Sequence, residues 1–226
     1  VELYRIAYPI LRKYAPQVKI CGPCASNKAL PYNERFLRAG GGKYIDILTF
    51  HSYNGDPDQG QVIELNQALR EMVDHYHPEM PILNSETYYG IRGGKLAGSQ
   101  EESRRTYFKD TELEHAAAYA AFYASSLVSD IPFATYNPYT LLYGIPGSDE
   151  VHVFGAMAAI NAFQHLLGNA GKTRSVYPID EQLRCLLFPD AHGGAMATIR
   201  NSNPELNDRI DMILPETIQA LDLFGN

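Results

Sequence analysis

The feature that most limits the possible folds is a regular alternation of strand-like and helix-like segments. Short apolar segments rich in β-branched residues predict strands at residues 18–22, 44–51, 81–85 and 132–136. A segment with helical periodicity follows each strand, at residues 32–38, 61–75, 112–129 and 151–167. Another helix is predicted to be under way already at Val1. Repeated strand–helix units predict an α/β fold whose parallel sheet is covered by helices, as an open doubly wound sheet or as a closed (β/α)₈ barrel.

The pattern changes near residue 172. Short strands separated by turns are predicted at residues 183–188, 194–200 and 209–214, with a candidate fourth at 220–224, and no helix lies between them. Consecutive short strands of this kind are typical of a β-sandwich. We therefore predict two regions, an α/β region at residues 1–172 and a β-sandwich segment at residues 173–226.

Composition and charge exclude several classes of protein. The net charge of the 226 residues is −7, and no cluster of Lys and Arg is present to bind nucleic acid or an anionic membrane. No apolar stretch approaches the roughly 18 residues that a membrane span needs. Three cysteines do not make a disulfide scaffold. Because the first predicted helix is already under way at Val1, we expect the chain to be a fragment or a processed product.

Polar and aromatic residues cluster directly after the predicted strands, as in His51-Ser-Tyr53, Glu86-Thr-Tyr and Tyr136-Asn137. Active sites of (β/α)₈ barrels are built from these carboxyl ends of strands. No glycine-rich phosphate loop follows a strand, which counts against a nucleotide-binding sheet. The position of these polar residues at strand ends favours a (β/α)₈ barrel over an open doubly wound sheet.

The strongest candidate for chemistry is Glu86, a carboxylate directly after a buried strand. Its ordinary interpretation is a surface residue that pairs with Arg92. His51 and Tyr53 end the preceding strand two residues apart, so they lie on one side of the chain if the strand continues. Each of them is also compatible with a structural role, His51 as a core histidine and Tyr53 as a packed aromatic ring.

The segments DILTFHSY and PILNSETYYG, separated by one helix, resemble strands six and seven of the clan of (β/α)₈-barrel retaining glycoside hydrolases, which includes cellulase-like and xylosidase/iduronidase-like families. The resemblance implies the second half of a (β/α)₈ TIM barrel, at residues 1–172, followed by part of an accessory β-sandwich. It implies hydrolysis of O-glycosyl bonds in a glycoside, oligosaccharide or polysaccharide, with Glu86 as the catalytic nucleophile. No metal or cofactor is implied.

The resemblance also implies the remaining site residues. The substrate-binding candidates are His51, Tyr53, Asn84, Tyr136 and Asn137. The clan's acid/base Glu ends strand four and is therefore expected upstream of Val1. A second departure is the absence of Trp, which often forms the floor of the sugar site in this clan.

Two other functions are compatible with the sequence. A degenerate barrel that binds carbohydrate without catalysis would keep the cleft and lack the chemistry. The motif Cys21-Gly-Pro-Cys24 follows a predicted strand and has the spacing of a thioredoxin redox motif. Against a redox role, the next helix is predicted to begin only near Pro31, whereas a redox thiol is activated at a helix N-terminus.

Overall fold

The computed structural model describes residues 1–26, 29–53, 61–87, 89–91, 108–109, 111–129, 131, 142–144, 149, 151–168, 175–178, 183–189, 195–201 and 221–222. Its helices are α1 (Glu2–Tyr14), α2 (Ala29–Arg38), α3 (Gln61–Tyr76), α4 (Glu112–Val128) and α5 (Gly155–Leu167), with a 3₁₀ helix at Gly41–Tyr44. Its strands are β1 (Cys21–Ala25), β2 (Ile47–Ser52), β3 (Ile82–Thr87), β4 (Gly90–Ile91), β5 (Phe108–Lys109), β6 (Leu142–Gly144), β7 (Val151–Val153), β8 (Ser175–Pro178), β9 (Leu183–Pro189) and β10 (Ala195–Asn201).

Strands β1, β2 and β3 form a parallel sheet in that order. The helices α2 and α3 make the two crossovers that parallel neighbours require. The predicted α/β class, with alternating strands and helices around a parallel sheet, is confirmed. The half-barrel and the β-sandwich stay predictions, as does the division at residue 172.

One face of this sheet packs on the crossover helices. Leu48 and Phe50 of β2 are fully buried against Leu69 and Val73 of α3. The four-residue spacing of Leu69 and Val73 places them on the same side of the helix. Burying each large aliphatic or aromatic side chain stabilises the fold by about 1.5–3 kcal/mol, so this cluster holds the sheet and α3 together.

Helix α1 lies against the outer side of β1. The phenol of Tyr4 occupies the space that a Cβ atom would need at Gly22, so a larger residue there would displace the Tyr4 ring. Arg12 donates two hydrogen bonds to the carboxylate of Asp46, at 2.7 and 2.6 Å. The same carboxylate accepts the backbone N–H of Ile20 at 2.7 Å. These contacts tie α1 to the end of the sheet where the strands begin.

Helices α4 and α5 pack closely through alanines. Ala116, Ala120, Ala156 and Ala159 are almost completely buried in one cluster. A capping box opens α4, in which the side chains of Thr111 and Glu114 satisfy each other's backbone N–H groups.

The antiparallel sheet β10-β9-β8 has uninterrupted register. Leu186 and Phe188 of β9 are buried with Tyr123 and Ala124 of α4 and with Leu167 of α5. These contacts attach the sheet to α4 and α5 through one apolar face of β9. Strand β8 has no counterpart among the predicted strands.

Several predicted boundaries are wrong, and the helix predicted at 32–38, for example, begins at Ala29. The strand predicted at 18–22 begins at Cys21, because Ile20 N–H is bound by the side chain of Asp46. The strand predicted at 44–51 begins at Ile47, since the glycines around Gly40, which has a φ of 80°, allow a 3₁₀ turn first. The helix predicted from residue 151 begins at Gly155, because β-branched residues of Val151–Val153 pair with β6.

Several predicted segments lie wholly or partly outside the described residues. These are the strands at 132–136 and 209–214 and all of 220–224 except Leu221 and Asp222, which are not in a strand. Strands β4 and β5, which have no counterpart among the predicted strands, pair in parallel. None of the described helices is both long and apolar enough to span a membrane.

Candidate active site

Glu86 lies near the carboxyl end of β3, and a bulge sets its direction. Asn84 pairs with Phe50 of β2, whereas the next pair is Glu86 with His51, so Ser85 is an extra residue in β3. In a regular strand, residues two apart share a face of the sheet. The bulge breaks this rule, and it places Glu86 on the face of His51 rather than on the face of Phe50.

Glu86, His51 and Tyr53 meet at this end of the sheet. The Tyr53 hydroxyl lies 3.0 Å from His51 Nδ1 and is hydrogen-bonded to the Glu86 carboxylate. His51 Nδ1 lies 3.8 Å from Glu86 Oε2. The side chain of Glu86 is 34% exposed, so it is held by neighbours and also open to a ligand. The structure thus brings together three of the residues singled out in the sequence.

The environment keeps Tyr53 protonated. Desolvation by burial raises the pKa of Tyr53 well above its usual range, and the hydrogen bond to Glu86 and the charge of that carboxylate raise it further. A protonated phenol has one proton to donate. When Tyr53 donates it to Glu86, His51 Nδ1 must carry a hydrogen and donate to the Tyr53 oxygen. The contacts then form a chain from imidazole to phenol to carboxylate.

Asn84, which the sequence also indicated, is only 2% exposed. Its Oδ1 atom accepts a hydrogen bond from the backbone N–H of Glu86 at 3.3 Å. The described contact of this side chain is therefore with the backbone of the candidate nucleophile.

Side-chain hydroxyls connect the end of β3 to β2. Ser85 Oγ donates to the carbonyl of Phe50 at 3.1 Å, and Thr87 Oγ1 donates to the carbonyl of Ser52 at 2.6 Å. The two bonds lie on either side of Glu86 in the sequence, so they fix the backbone of β3 before and after the carboxylate. The sequence analysis did not single out either residue.

Helix α4 holds the chain just beyond the site. The fully buried His115 lies with Nε2 2.7 Å from the carbonyl of Tyr89, and the N–H of Tyr89 donates to the hydroxyl of Tyr119 at 3.0 Å. A carbonyl only accepts, so Nε2 of His115 carries a hydrogen. The sequence analysis did not single out His115 or Tyr119, although a histidine and a tyrosine four residues apart on one face of an alanine-rich helix are a signal that could have indicated this anchor.

Tyr136 and Asn137, the other predicted substrate-binding residues, lie outside the described residues. Within the part of the chain that the structure describes, no group of three or more His, Cys, Asp and Glu side chains is arranged to hold a metal ion.

The Cys21-Gly-Pro-Cys24 motif forms β1 itself and does not lead into a helix, since α2 begins at Ala29. Both thiols are free, and desolvation and the proximity of Cys24 raise the pKa of Cys21. Redox motifs of this spacing work by lowering a thiol pKa at a helix N-terminus. The environment of Cys21 acts in the opposite direction, which argues against the redox alternative.

The arrangement around Glu86 can support nucleophilic or general base chemistry. The carboxylate is on a strand, accepts a hydrogen bond from a neutral phenol, and remains partly exposed. A group used for covalent catalysis must be oriented in this way while keeping one oxygen free for attack.

No protein-family model and no curated protein sequence matches this chain. Among solved structures it resembles a glucosidase from Croceicoccus marinus, with 18% sequence identity and a TM-score of 0.50 over 83% of this chain and 42% of the glucosidase. It also aligns with a family 44 glycoside hydrolase endoglucanase from Clostridium acetobutylium, with 12% identity and a TM-score of 0.46 over 84% of this chain and 48% of that enzyme. The chain spans less than half of the length of either structure. The likeness to the glucosidase shows that this chain has a glycoside hydrolase-like fold.

Proposed function

We propose that this chain carries the nucleophile half of a retaining O-glycoside hydrolase, with Glu86 as the nucleophile. The observation that carries the proposal is the contact of Glu86 with Tyr53 and His51 at the carboxyl end of a parallel strand. The likeness of the fold to a glucosidase is in accord with it. The substrate class is a glycoside, oligosaccharide or polysaccharide.

In the proposed reaction, Glu86 attacks the anomeric carbon and forms a glycosyl ester while the bond to the leaving oxygen breaks. A second carboxyl group, about 5–5.5 Å away in retaining enzymes, protonates the leaving oxygen. That group then removes a proton from water, which attacks the anomeric carbon and releases Glu86. We assign the acid/base role to a Glu upstream of this chain.

Tyr53 and His51 have defined roles in this scheme. The protonated phenol of Tyr53 donates to one oxygen of Glu86 and stabilises the ionised carboxylate, while the other oxygen attacks. His51 orients Tyr53 through Nδ1 and is also placed to bind a sugar hydroxyl. Tyr136 and Asn137 stay candidates for binding sugar hydroxyls or stacking on the ring, whereas the described contact of the buried Asn84 is with the backbone of Glu86.

Two surfaces of the described fold suit a larger barrel. Leu3, Ile6, Ile10 and Tyr14 form an exposed apolar stripe along α1. Among the described strands, β1 has a hydrogen-bonded neighbour on one side only. Exposed apolar stripes and open strand edges are normally covered. We propose that residues 1–172 form the second half of a (β/α)₈ barrel whose first half covers these surfaces, and that residues 173–226 belong to a β-sandwich.

The first test is covalent trapping on the full-length protein. A panel of 2-deoxy-2-fluoro glycosides with a dinitrophenolate leaving group needs no general acid, because dinitrophenolate leaves without a proton. We expect the protein to gain the mass of one fluorosugar, on the peptide that contains Glu86. Glu86→Gln abolishes the labelling and lowers hydrolysis of aryl glycosides by at least about 10³-fold.

The matched control is Glu71→Gln, which changes an exposed carboxylate on α3. It should leave labelling and turnover unchanged. Labelling at another carboxylate would overturn the assignment of Glu86. Sugar binding without any labelling or turnover in the unmodified protein would support the non-catalytic binding alternative instead.

A further inference from the structure

The bulge in β3 is held by side chains of the bulge itself. Ser85 is the extra residue, and its hydroxyl donates a hydrogen bond to the Phe50 carbonyl at 3.1 Å. Asn84 precedes Ser85, and the Oδ1 atom of Asn84 accepts a hydrogen bond from the N–H of Glu86 at 3.3 Å. One backbone group on each strand at the bulge, the Phe50 carbonyl of β2 and the Glu86 N–H of β3, thus has a side-chain partner, which compensates for the disturbed ladder.

The position of Asn84 is unfavourable for an amide. It pairs with the fully buried Phe50 and lies two residues beyond Ile82, which is 4% exposed and belongs to the same apolar cluster. Paired residues on neighbouring strands share a face, so Asn84 points toward the helix-covered side of the sheet. A leucine there would avoid the desolvation of an amide. Stability alone therefore favours an apolar residue at this position.

We propose that Asn84 is a positioning residue for Glu86. By holding the N–H of Glu86 it stabilises the bulge that turns the carboxylate toward His51 and Tyr53. The role requires the amide oxygen and not the packing of the side chain. This inference rests on the proposed function for its kinetic consequence, and on the hydrogen bond alone for its structural consequence.

The test compares Asn84→Leu with Asn66→Leu in the full-length protein. Asn66 of α3 is 3% exposed, so the control makes the same change at another buried position. Hydrogen exchange of the Glu86 amide, followed by NMR, should become at least about tenfold faster in Asn84→Leu and stay unchanged in Asn66→Leu. With an aryl glycoside, kcat should fall by about 10- to 100-fold with KM within twofold, because a small displacement of a reacting group is costly.

Thermal unfolding distinguishes an effect of Asn84 on the position of Glu86 from an effect on the stability of the fold. We expect the Tm of Asn84→Leu to be equal to or above that of the unmodified protein, and Asn84→Ala serves as a smaller replacement if leucine prevents folding. Unchanged protection of the Glu86 amide, or unchanged kcat with faster exchange, overturns the proposal. If no variant, nor the unmodified protein, hydrolyses a glycoside, the proposed function fails while the exchange measurement still decides whether Asn84 holds Glu86.

Discussion

The two three-stranded sheets of this protein differ in regularity and in what they bury. The antiparallel sheet β8–β10 keeps its register over seven consecutive pairs between β9 and β10, and the buried side chains that the structure describes in it, Leu186 and Phe188, are apolar. The parallel sheet β1–β3 loses register on both sides of β2, at Cys24 in β1 and at Ser85 in β3. Both irregularities lie at the end of the sheet that carries Glu86.

The buried side chains follow the same division. Thr49, Ser52, Asn84 and Thr87 of the parallel sheet are polar and at most 5% exposed. Burying polar groups costs free energy unless they are hydrogen-bonded, and an extra residue disturbs the ladder. A sheet that only supports a core has no reason to keep either feature. Their coincidence at Glu86 is in accord with the site that we propose on the parallel sheet.

The largest expected effect tests the packing role of the antiparallel sheet. Phe188→Ala removes a fully buried ring from the cluster with Tyr123 and Leu167. We expect the free energy of unfolding to fall by about 3–5 kcal/mol, with kcat per folded molecule unchanged. Urea unfolding followed by circular dichroism measures it, with Leu113→Ala, an exposed position on α4, as the control. A change in kcat of the folded fraction would break the division between the sheets.

The next effect tests the parallel sheet. Tyr53→Phe removes the phenol that donates to Glu86 and keeps the ring. We expect kcat to fall by about 10- to 100-fold, because the ionised carboxylate loses a charge-assisted hydrogen bond. The control is Tyr76→Phe, which removes a comparable tyrosine–carboxylate contact, to Glu34 at 3.3 Å, on the surface of α2 and α3. Steady-state kinetics on aryl glycosides compares the two, and equal losses would contradict a special role for Tyr53.

The smallest effect tests the opposite end of the same sheet. The hydrogen bonds from Arg12, and then from the Ile20 backbone, hold the pKa of Asp46 below its ordinary value of 3.8. A lowered pKa contributes stability that is present above pH 3.8 and is lost as the pH falls through the folded-state value. Asp46→Asn should therefore be less stable than the unmodified protein at pH 7.

The difference between the two should shrink as the pH falls below 3.8 toward the folded-state pKa of Asp46, because only below that pKa is the carboxyl protonated in both the folded and the unfolded states. Urea unfolding at pH 7 and pH 3 measures it. Asp74→Asn, which removes an exposed partner of Arg70 within α3, is the matched control and should cost at most about 0.5 kcal/mol. A loss of kcat in Asp46→Asn would show that the ends of the sheet are not independent.

The order of the elements was readable because periodicity and strand-end residues are local signals. The apolar alternation around Leu48 and Phe50 predicted β2, and the spacing of Leu69 and Val73 predicted α3. Pairing of β7 with β6 was not readable, since Val151 directly precedes a long helical pattern and no strand was predicted at residues 142–144. The start of β1 was not readable either, because it depends on the hydrogen bond between Ile20 and the side chain of Asp46, which lies 26 residues further along the chain.

By itself, the sequence determined that strands and helices alternate, that the sheet is parallel, and that Glu86, His51 and Tyr53 lie at the carboxyl ends of strands. Those conclusions need only the local periodicity of apolar residues and the residue types at strand ends. Only the tertiary structure decided which way Glu86 faces, because Asn84 and Glu86 are two residues apart and a regular strand would place them on one face. The bulge at Ser85 moves Glu86 to the opposite face of the sheet. The bulge forms because β3 pairs with β2 and Ser85 bonds to Phe50, and sequence periodicity encodes neither contact.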